Sequence, residues 1–256
     1  MNFLKTVVVF FLFSNYLASQ EPIIESKGAQ PKTILFIGNS YLYYGDSVHN
    51  HFRRMVEEYF IGYDSSSVKS ATIGGARLKH HNVERLIKAK AISSIEKFDL
   101  VILQGGSGET LTSESRKEFS QFVKKHVQTI RANNSQAALY MTHAYVKPHK
   151  KFMDNQIKII EETYTKVGNE NQVLVIPVGI AFDLAYQEQP SIRLHKLDAS
   201  HPSLLGTYLA ACTVFSSIYG KTPVGLKYNY FGAINEKDKK FLQEIAYKAT
   251  SMYYNN

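Results

Sequence analysis

A short apolar run that stops at a glycine constrains the fold of this chain most. Residues 34–37 read Ile-Leu-Phe-Ile and are followed by Gly38, Asn39 and Ser40. Consecutive apolar residues, two of them β-branched, predict a strand that is covered on both faces, as in a parallel sheet. Gly38 and Asn39 then turn the chain. Ser40 is therefore the first residue beyond the strand's carboxyl end, where open α/β sheets bind their ligands.

A serine at that edge becomes a nucleophile only when a base removes its proton. The downstream segment 197–203 reads Leu-Asp-Ala-Ser-His-Pro-Ser and supplies a candidate pair, Asp198 and His201. Their spacing within a loop lets the carboxylate fix the imidazole tautomer while the other ring nitrogen faces Ser40. The alternative is that Ser40 is a turn residue and that the downstream pair only caps the following helix.

Together the two elements resemble the SGNH (GDSL-type) hydrolase superfamily. The Gly-Asn-Ser tripeptide that ends at Ser40 and the Asp-x-x-His-Pro element that starts at Asp198 stand in the family's order, and the resemblance covers about residues 33–223. It implies an esterase or acylhydrolase with a Ser-Asp-His triad on a flavodoxin-like sheet. It implies no metal and no organic cofactor.

The resemblance also implies an oxyanion hole. In SGNH proteins a glycine after the second strand donates its backbone N–H; Gly75 is the choice here and Gly74 the alternative. Many members then use an asparagine after the third strand, but residues 104–109 read Gln-Gly-Gly-Ser-Gly-Glu. This stretch looks more like the Gln-Gly-Glu-Ser variant of carbohydrate O-acetylesterase branches. We expect the N–H groups of Ser40 and Gly75 and the Gln104 side chain to bind the oxyanion; otherwise Gln104 only hydrogen-bonds loop backbone.

Strand-like runs alternate with helical patterns along the whole chain. The strands are predicted at 34–37, 67–72, 98–103, 137–142 and 173–178, and apolar residues at helical spacing lie within 48–59, 119–130, 153–167, 204–219 and 241–253. This alternation predicts a flavodoxin-like three-layer α/β/α sandwich with about five parallel strands. Ser203 is predicted to cap the fourth of these helices and Gly220 to end it.

The N-terminus has the layout of a leader. Residues 1–19 contain a short basic start, an apolar run and small residues before position 20, which predicts a secretory signal peptide. The alternative, an uncleaved membrane anchor, is disfavoured because the run is short for a membrane span. Residues 20–31 are then a loose mature N-terminus, and 32–256 form the SGNH-type hydrolase domain. We expect a secreted or periplasmic protein without stable membrane insertion after cleavage.

The cysteine content and the net charge limit the kinds of partner that we expect for this chain. Cys212 is the only cysteine, so no intramolecular disulfide forms, and its apolar neighbours predict a small core residue. The formal net charge is +8, but the lysines are scattered and form no stripe of the kind that binds nucleic acid. The sequence therefore predicts no nucleic-acid partner, although a basic protein suits an acidic polymer such as an anionic polysaccharide. It leaves the oligomeric state open.

We expect the substrate to be a small-molecule or glycan ester, with acetyl groups on sugars favoured by the 104–109 loop and by export. Lipid acyl chains and other acyl esters stay open. The rival prediction is a non-catalytic carbohydrate-binding or scaffold protein on a degenerate SGNH fold. Three further residues, Tyr145, His149 and Tyr186, either line a sugar or acyl pocket or lie at its rim without a role.

Overall fold

A computed structural model of the protein describes residues 21–22 and 30–255. The predicted signal peptide, residues 1–19, lies outside the described residues, as does 23–29 of the predicted loose N-terminus.

Five parallel strands form a single sheet in the order β2-β1-β3-β4-β5. The strands are β1 (Ile34–Gly38), β2 (Val68–Thr72), β3 (Leu100–Gln104), β4 (Gln136–Tyr140) and β5 (Leu174–Ile176). β1 pairs with β2 on one side and with β3 on the other. This order confirms the predicted flavodoxin-like sheet, and it places the topological switch point, where such sheets bind ligands, at the carboxyl ends of β1 and β3.

Helices cover both faces of the sheet, as predicted. They are α1 (Ser40–Tyr43), α2 (Val48–Tyr59), α3 (Val83–Leu86), α4 (Ser113–Ala132), α5 (Gln156–Asn171), α6 (Val178–Glu188), α7 (Leu204–Tyr219) and α8 (Glu236–Tyr254), with 3₁₀ turns at Tyr44–Asp46, Ser65–Ser67 and Leu78–His80. Within the part of the chain that the structure describes, no helix combines the length and apolarity that a membrane crossing requires.

Side chains of β1 alternate between the two faces. Ile34 and Phe36 pack with α2, α6 and α7 in one core, and Leu35 and Ile37 pack with α4 and α5 in the other. All four side chains are completely buried, and burying a side chain of this size contributes about 1.5–3 kcal/mol. The strand that leads into Ser40 is thus held from both sides.

Helix α7 anchors the segment that carries Asp198 and His201. Every residue from 206 to 219 is buried, including Cys212. The Ser203 hydroxyl accepts the Gly206 N–H at 3.2 Å, and Gly220 ends the helix in the left-handed conformation with φ = 60°. Both predicted caps are confirmed, and the loop before α7 therefore has a fixed end.

The fifth strand is shorter than predicted, and α6 was missed. β5 ends at Ile176 and α6 begins at Val178, because Pro177 has no N–H to continue a sheet ladder and its fixed φ suits a helix start. Gly179 lies inside α6. A Cβ there would come within 2.4 Å of the Thr142 carbonyl oxygen, so glycine lets α6 pack tightly against the segment after β4.

Candidate active site

Ser40 is the first residue of α1, directly after β1. Asn39 caps this helix: its Oδ1 accepts the Tyr41 N–H at 3.0 Å, and its Nδ2 donates to the Ala76 carbonyl at 2.9 Å. The N–H groups of a first helical turn have no intrahelical partner. The turn therefore presents the Ser40 hydroxyl and the Ser40 backbone N–H together at the switch point.

The segment 194–203 forms a narrow loop with Asp198 near its tip. The Lys196 N–H donates to the His201 carbonyl at 2.8 Å, and the Ser203 N–H donates to the Leu194 carbonyl at 2.8 Å. At the tip, Asp198 Oδ1 accepts the N–H groups of Ser200 (3.0 Å) and His201 (2.9 Å). The loop backbone is thus fixed by the same carboxylate that contacts the imidazole.

The three predicted triad side chains form one hydrogen-bonded series. His201 Nε2 lies 2.9 Å from Ser40 Oγ, and His201 Nδ1 lies 2.7 Å from Asp198 Oδ2. Partial burial disfavours the Asp198 anion, but hydrogen bonds from His201 and Ser200 outweigh it and hold the pKa of Asp198 at about 2. The ionised carboxylate can only accept. His201 therefore carries its proton on Nδ1, and Nε2 has the lone pair that faces Ser40.

A stack of rings lies beneath the loop. Tyr41 stacks on His143 at 4.1 Å between ring centroids, and His143 stacks on Phe182 at 4.4 Å. Burial holds the pKa of His143 well below its ordinary value, so the ring is neutral and Nε2–H donates to the Ser200 carbonyl at 2.9 Å. Tyr41 Oη and Ser200 Oγ are 3.0 Å apart. Residues from the ends of β1 and β4 thus hold the loop between Asp198 and His201.

Another ring covers the imidazole from outside. Tyr44 stacks on His201 at 4.2 Å, and Lys196 Nζ lies 4.7 Å from the Tyr44 ring centroid. No motif of the sequence identifies Tyr44, Tyr41 or His143 as part of the site. The only signal was a run of tyrosines directly after the candidate nucleophile and a histidine directly after a strand, and neither pattern says which ring meets which.

The glycine pair follows β2, and the sheet register places the end of β2 next to the end of β1, with Thr72 opposite Gly38. The Ile73 N–H donates to the Gly38 carbonyl at 3.1 Å, which extends the β1–β2 pairing into the turn that contains Gly74 and Gly75. Gly75 has φ = 70° and a Cβ there would contact nothing within 4 Å. Its exposed, left-handed backbone is one that glycine adopts without cost, and its role as an oxyanion donor stays a prediction.

Gln104, the predicted side-chain donor of the oxyanion hole, is hydrogen-bonded to loop backbone. The side chain is completely buried; its Oε1 accepts the Asn39 N–H at 2.8 Å, and its Nε2 donates to the Gly105 carbonyl. Both ends of the amide are thus bound to loop backbone, which is the alternative considered above. Gly38 leaves room for this contact, because a Cβ there would lie 2.3 Å from Gln104 Oε1. Gln104 fixes the turn that carries Ser40.

We expect Gln104→Ala to lower the free energy of unfolding by about 1–3 kcal/mol, since it leaves buried backbone groups without partners. Urea midpoints of this variant and of Gln121→Ala, an exposed glutamine on α4, measure the effect. Unchanged stability with a kcat about 10²–10³-fold lower would instead indicate a lost oxyanion donor.

The three candidate pocket residues Tyr145, His149 and Tyr186 lie in two places near the active site. Tyr145 stacks on His149 at 4.0 Å, and the Tyr186 hydroxyl lies 2.7 Å from Nδ1 of His195 in the triad loop. Tyr145, Tyr186 and His195 line a cavity of about 210 Å³ beside this loop. Tyr186 therefore supports the loop as well as lining the cavity.

The chain has a three-layer α/β/α sandwich with a Ser-His-Asp group at its switch point, and this fold is shared with solved SGNH-type hydrolases. Solved structures with this fold include a DUF4886 family protein from Bacteroides uniformis (TM-score 0.68, 19% identity, 87% of this chain and 95% of that chain). They also include a candidate SGNH hydrolase from Slackia heliotrinireducens, with a TM-score of 0.57 and 19% identity over 73% of this chain and 98% of that chain. The acetyl xylan esterase AlAXEase has a TM-score of 0.56 and 17% identity over 73% of this chain and 99% of that chain. No family model and no curated protein sequence matches the chain.

Proposed function

We propose that the protein is an exported serine ester hydrolase that removes acetyl or other short acyl groups from a carbohydrate. The observation that carries this proposal is the series Ser40 Oγ, His201 Nε2, His201 Nδ1 and Asp198 Oδ2, with separations of 2.9 and 2.7 Å, in the crevice where this fold binds ligands. An acetyl xylan esterase among the proteins of the same fold supports the choice of substrate, and the leader-like layout of residues 1–19 supports export.

In the first half of the reaction, Ser40 Oγ attacks the ester carbonyl carbon and His201 Nε2 takes the hydroxyl proton. Asp198 keeps Nδ1–H directed at itself and stabilises the imidazolium that forms. The N–H groups of Ser40 and Gly75 bind the carbonyl oxygen as it gains negative charge. The C–O bond of the tetrahedral intermediate then breaks, the sugar oxygen takes the proton from Nε2, and the acyl group stays on Ser40.

In the second half, water enters the place that the sugar has left. His201 Nε2 takes a proton from this water while its oxygen attacks the acyl carbon. The intermediate collapses, Ser40 Oγ regains the proton from His201, and the carboxylic acid leaves. The side chains of Asp198 and His201 are 46% and 27% exposed, and such an open site suits an acyl group carried by a bulky glycan.

Purified protein is expected to hydrolyse p-nitrophenyl acetate faster than the octanoate ester, and to release acetate from acetylated xylan. Ser40→Ala provides the background rate, and Ser113→Ala, at an exposed serine on α4, is the matched control. Faster hydrolysis of long-chain esters would indicate that the substrate is a lipid ester and not an acetylated carbohydrate. No Ser40-dependent hydrolysis of any ester in the panel would contradict the enzyme assignment.

Without such activity, the rival assignment is a carbohydrate-binding protein on this fold. The observation that favours it is the Gln104 amide, which is completely buried and hydrogen-bonded to loop backbone at both ends. Calorimetric titration with deacetylated and acetylated xylo-oligosaccharides distinguishes the two, because a binding protein holds the ligand without releasing acetate.

A further inference from the structure

A buried carboxylate lies beside the active-site loops and has no part in the proposed reaction. Glu109, in the loop between β3 and α4, is 1% exposed. Among the residues that the structure describes, it is the only buried Asp, Glu, Lys or Arg. Its side chain forms no salt bridge with any of these residues. Burying an unpaired carboxylate is costly, so the position calls for an explanation.

The carboxylate joins two loops. Glu109 Oε2 accepts the Gly106 N–H, just beyond Gln104, and Oε1 accepts the Leu78 N–H at 3.3 Å, just beyond the Gly74–Gly75 turn. These loops follow β3 and β2, the two strands that flank β1. One side chain thus connects the segments on either side of Ser40.

The two loops are in direct contact, and the contact continues to the nucleophile. A Cβ on Gly106 would lie 3.2 Å from the Ala76 carbonyl oxygen, and this same oxygen accepts a hydrogen bond from Asn39 Nδ2. A shift of the Gly106 backbone would therefore displace Ala76 and, through Asn39, the turn of Ser40.

We propose that Glu109 is a positioning residue that holds the loops after β2 and β3 in place around Ser40 and the Gly75 N–H. The inference rests on the proposed ester hydrolysis. Glu109 touches neither Ser40 nor His201, so its effect on the reaction passes through Gly106, Leu78 and Ala76. A displaced oxyanion donor slows the chemical step rather than substrate binding.

The surroundings make this contact sensitive to pH. Burial raises the pKa of Glu109 to about 7, and the two backbone N–H groups and Arg77 oppose that rise. Glu118 of α4 faces the group as well but is paired with Arg77 and Lys79, and Tyr164 of α5 supplies a hydroxyl close by. A protonated carboxyl has one oxygen that carries hydrogen, so it holds the two N–H groups less well than the ionised form.

The test compares Glu109→Gln with Glu114→Gln, which makes the same change at an exposed glutamate on α4. For p-nitrophenyl acetate at pH 8, Glu109→Gln is expected to lower kcat by about 10²-fold, the cost of misplacing catalytic groups by about 1 Å, with KM within about threefold. Glu114→Gln leaves both constants unchanged. In addition, the wild-type kcat is expected to depend on the ionisation of a group near pH 7, and the kcat of Glu109→Gln is not.

A second readout does not require activity. Hydrogen exchange at the Gly106 and Leu78 amides is expected to be at least about tenfold faster in Glu109→Gln than in wild type, and faster in wild type at pH 5.5 than at pH 8 after correction for intrinsic rates. The wild-type comparison holds even if the variant does not fold.

The outcomes separate the two proposals. Ser40-dependent hydrolysis with an unchanged kcat in Glu109→Gln overturns the positioning role and leaves the enzyme assignment intact. An inactive wild type overturns the enzyme assignment, and the exchange rates then decide whether Glu109 holds the loops. Equal protection of both amides in wild type and variant, and at both pH values, overturns the proposal.

Discussion

Ser40→Ala and His201→Ala are each expected to lower kcat for an acetyl ester by about 10⁶-fold, and the double variant is expected to be hardly slower than either single variant. The reason is that Ser40 Oγ and His201 Nε2, 2.9 Å apart, act as one unit. Serine without its base is a weak nucleophile, and the base without serine has no proton to take. The measurement is kcat with p-nitrophenyl acetate for the two single variants and the double variant.

The controls for this cycle concern the fold. Ser40 lies in the first turn of α1 and His201 in a loop, and neither belongs to the two cores, so thermal midpoints should stay within a few degrees of wild type. Two losses that multiply in the double variant would show that Ser40 and His201 act independently. Wild-type activity in Ser40→Ala, with contaminating esterases excluded, would remove the enzyme assignment from this site.

The sequence was sufficient to predict the elements that depend on local chemistry. The apolar run before Gly38, the capping serine at 203 and the glycine at 220 each specify their structure within a few residues, and the structure has all of them. The alternation of strands and helices likewise determined the parallel sheet, because parallel strands need crossover connections. The positions of Ser40, just after the first strand, and of Asp198 and His201, in the loop before α7, follow from those elements.

What the sequence did not reveal depends on contacts between distant segments. Gln104 stands where the family places a donor, but its amide direction is decided by Asn39, 65 residues away, and no local pattern encodes that bond. Glu109 is one of 22 acidic residues, and only the fold shows that it is buried. The fifth strand was predicted beyond its end at Ile176 because residues 173–178 read as one mostly apolar run, and a short run does not distinguish a strand from the start of a buried helix.

Asp198→Asn is expected to lower kcat by about 10⁴-fold, although the two side chains have the same shape. Asp198 accepts three hydrogen bonds: one from His201 Nδ1 to Oδ2, and two from the backbone N–H groups of Ser200 and His201 to Oδ1. An asparagine has a single acceptor oxygen. Because two donors are fixed in the backbone, the amide oxygen should face them, and the amide NH₂ then faces His201.

An NH₂ group at that position donates to Nδ1, so the proton of His201 moves to Nε2. Nε2 then carries a hydrogen that faces Ser40 and can no longer accept the hydroxyl proton. The lower kcat measures this loss of the general base. The pKa of about 2 at Asp198 lies below its ordinary value, so in wild type the carboxylate stays ionised and accepts the Nδ1–H of His201 at every assay pH above about 4. The kcat values of wild type and variant are compared at pH 8, where the Asp198 carboxylate of wild type is fully ionised. Asp238→Asn, on the distant helix α8, is the matched control, and a kcat for Asp198→Asn within tenfold of wild type would show that Asp198 does not select the tautomer of His201.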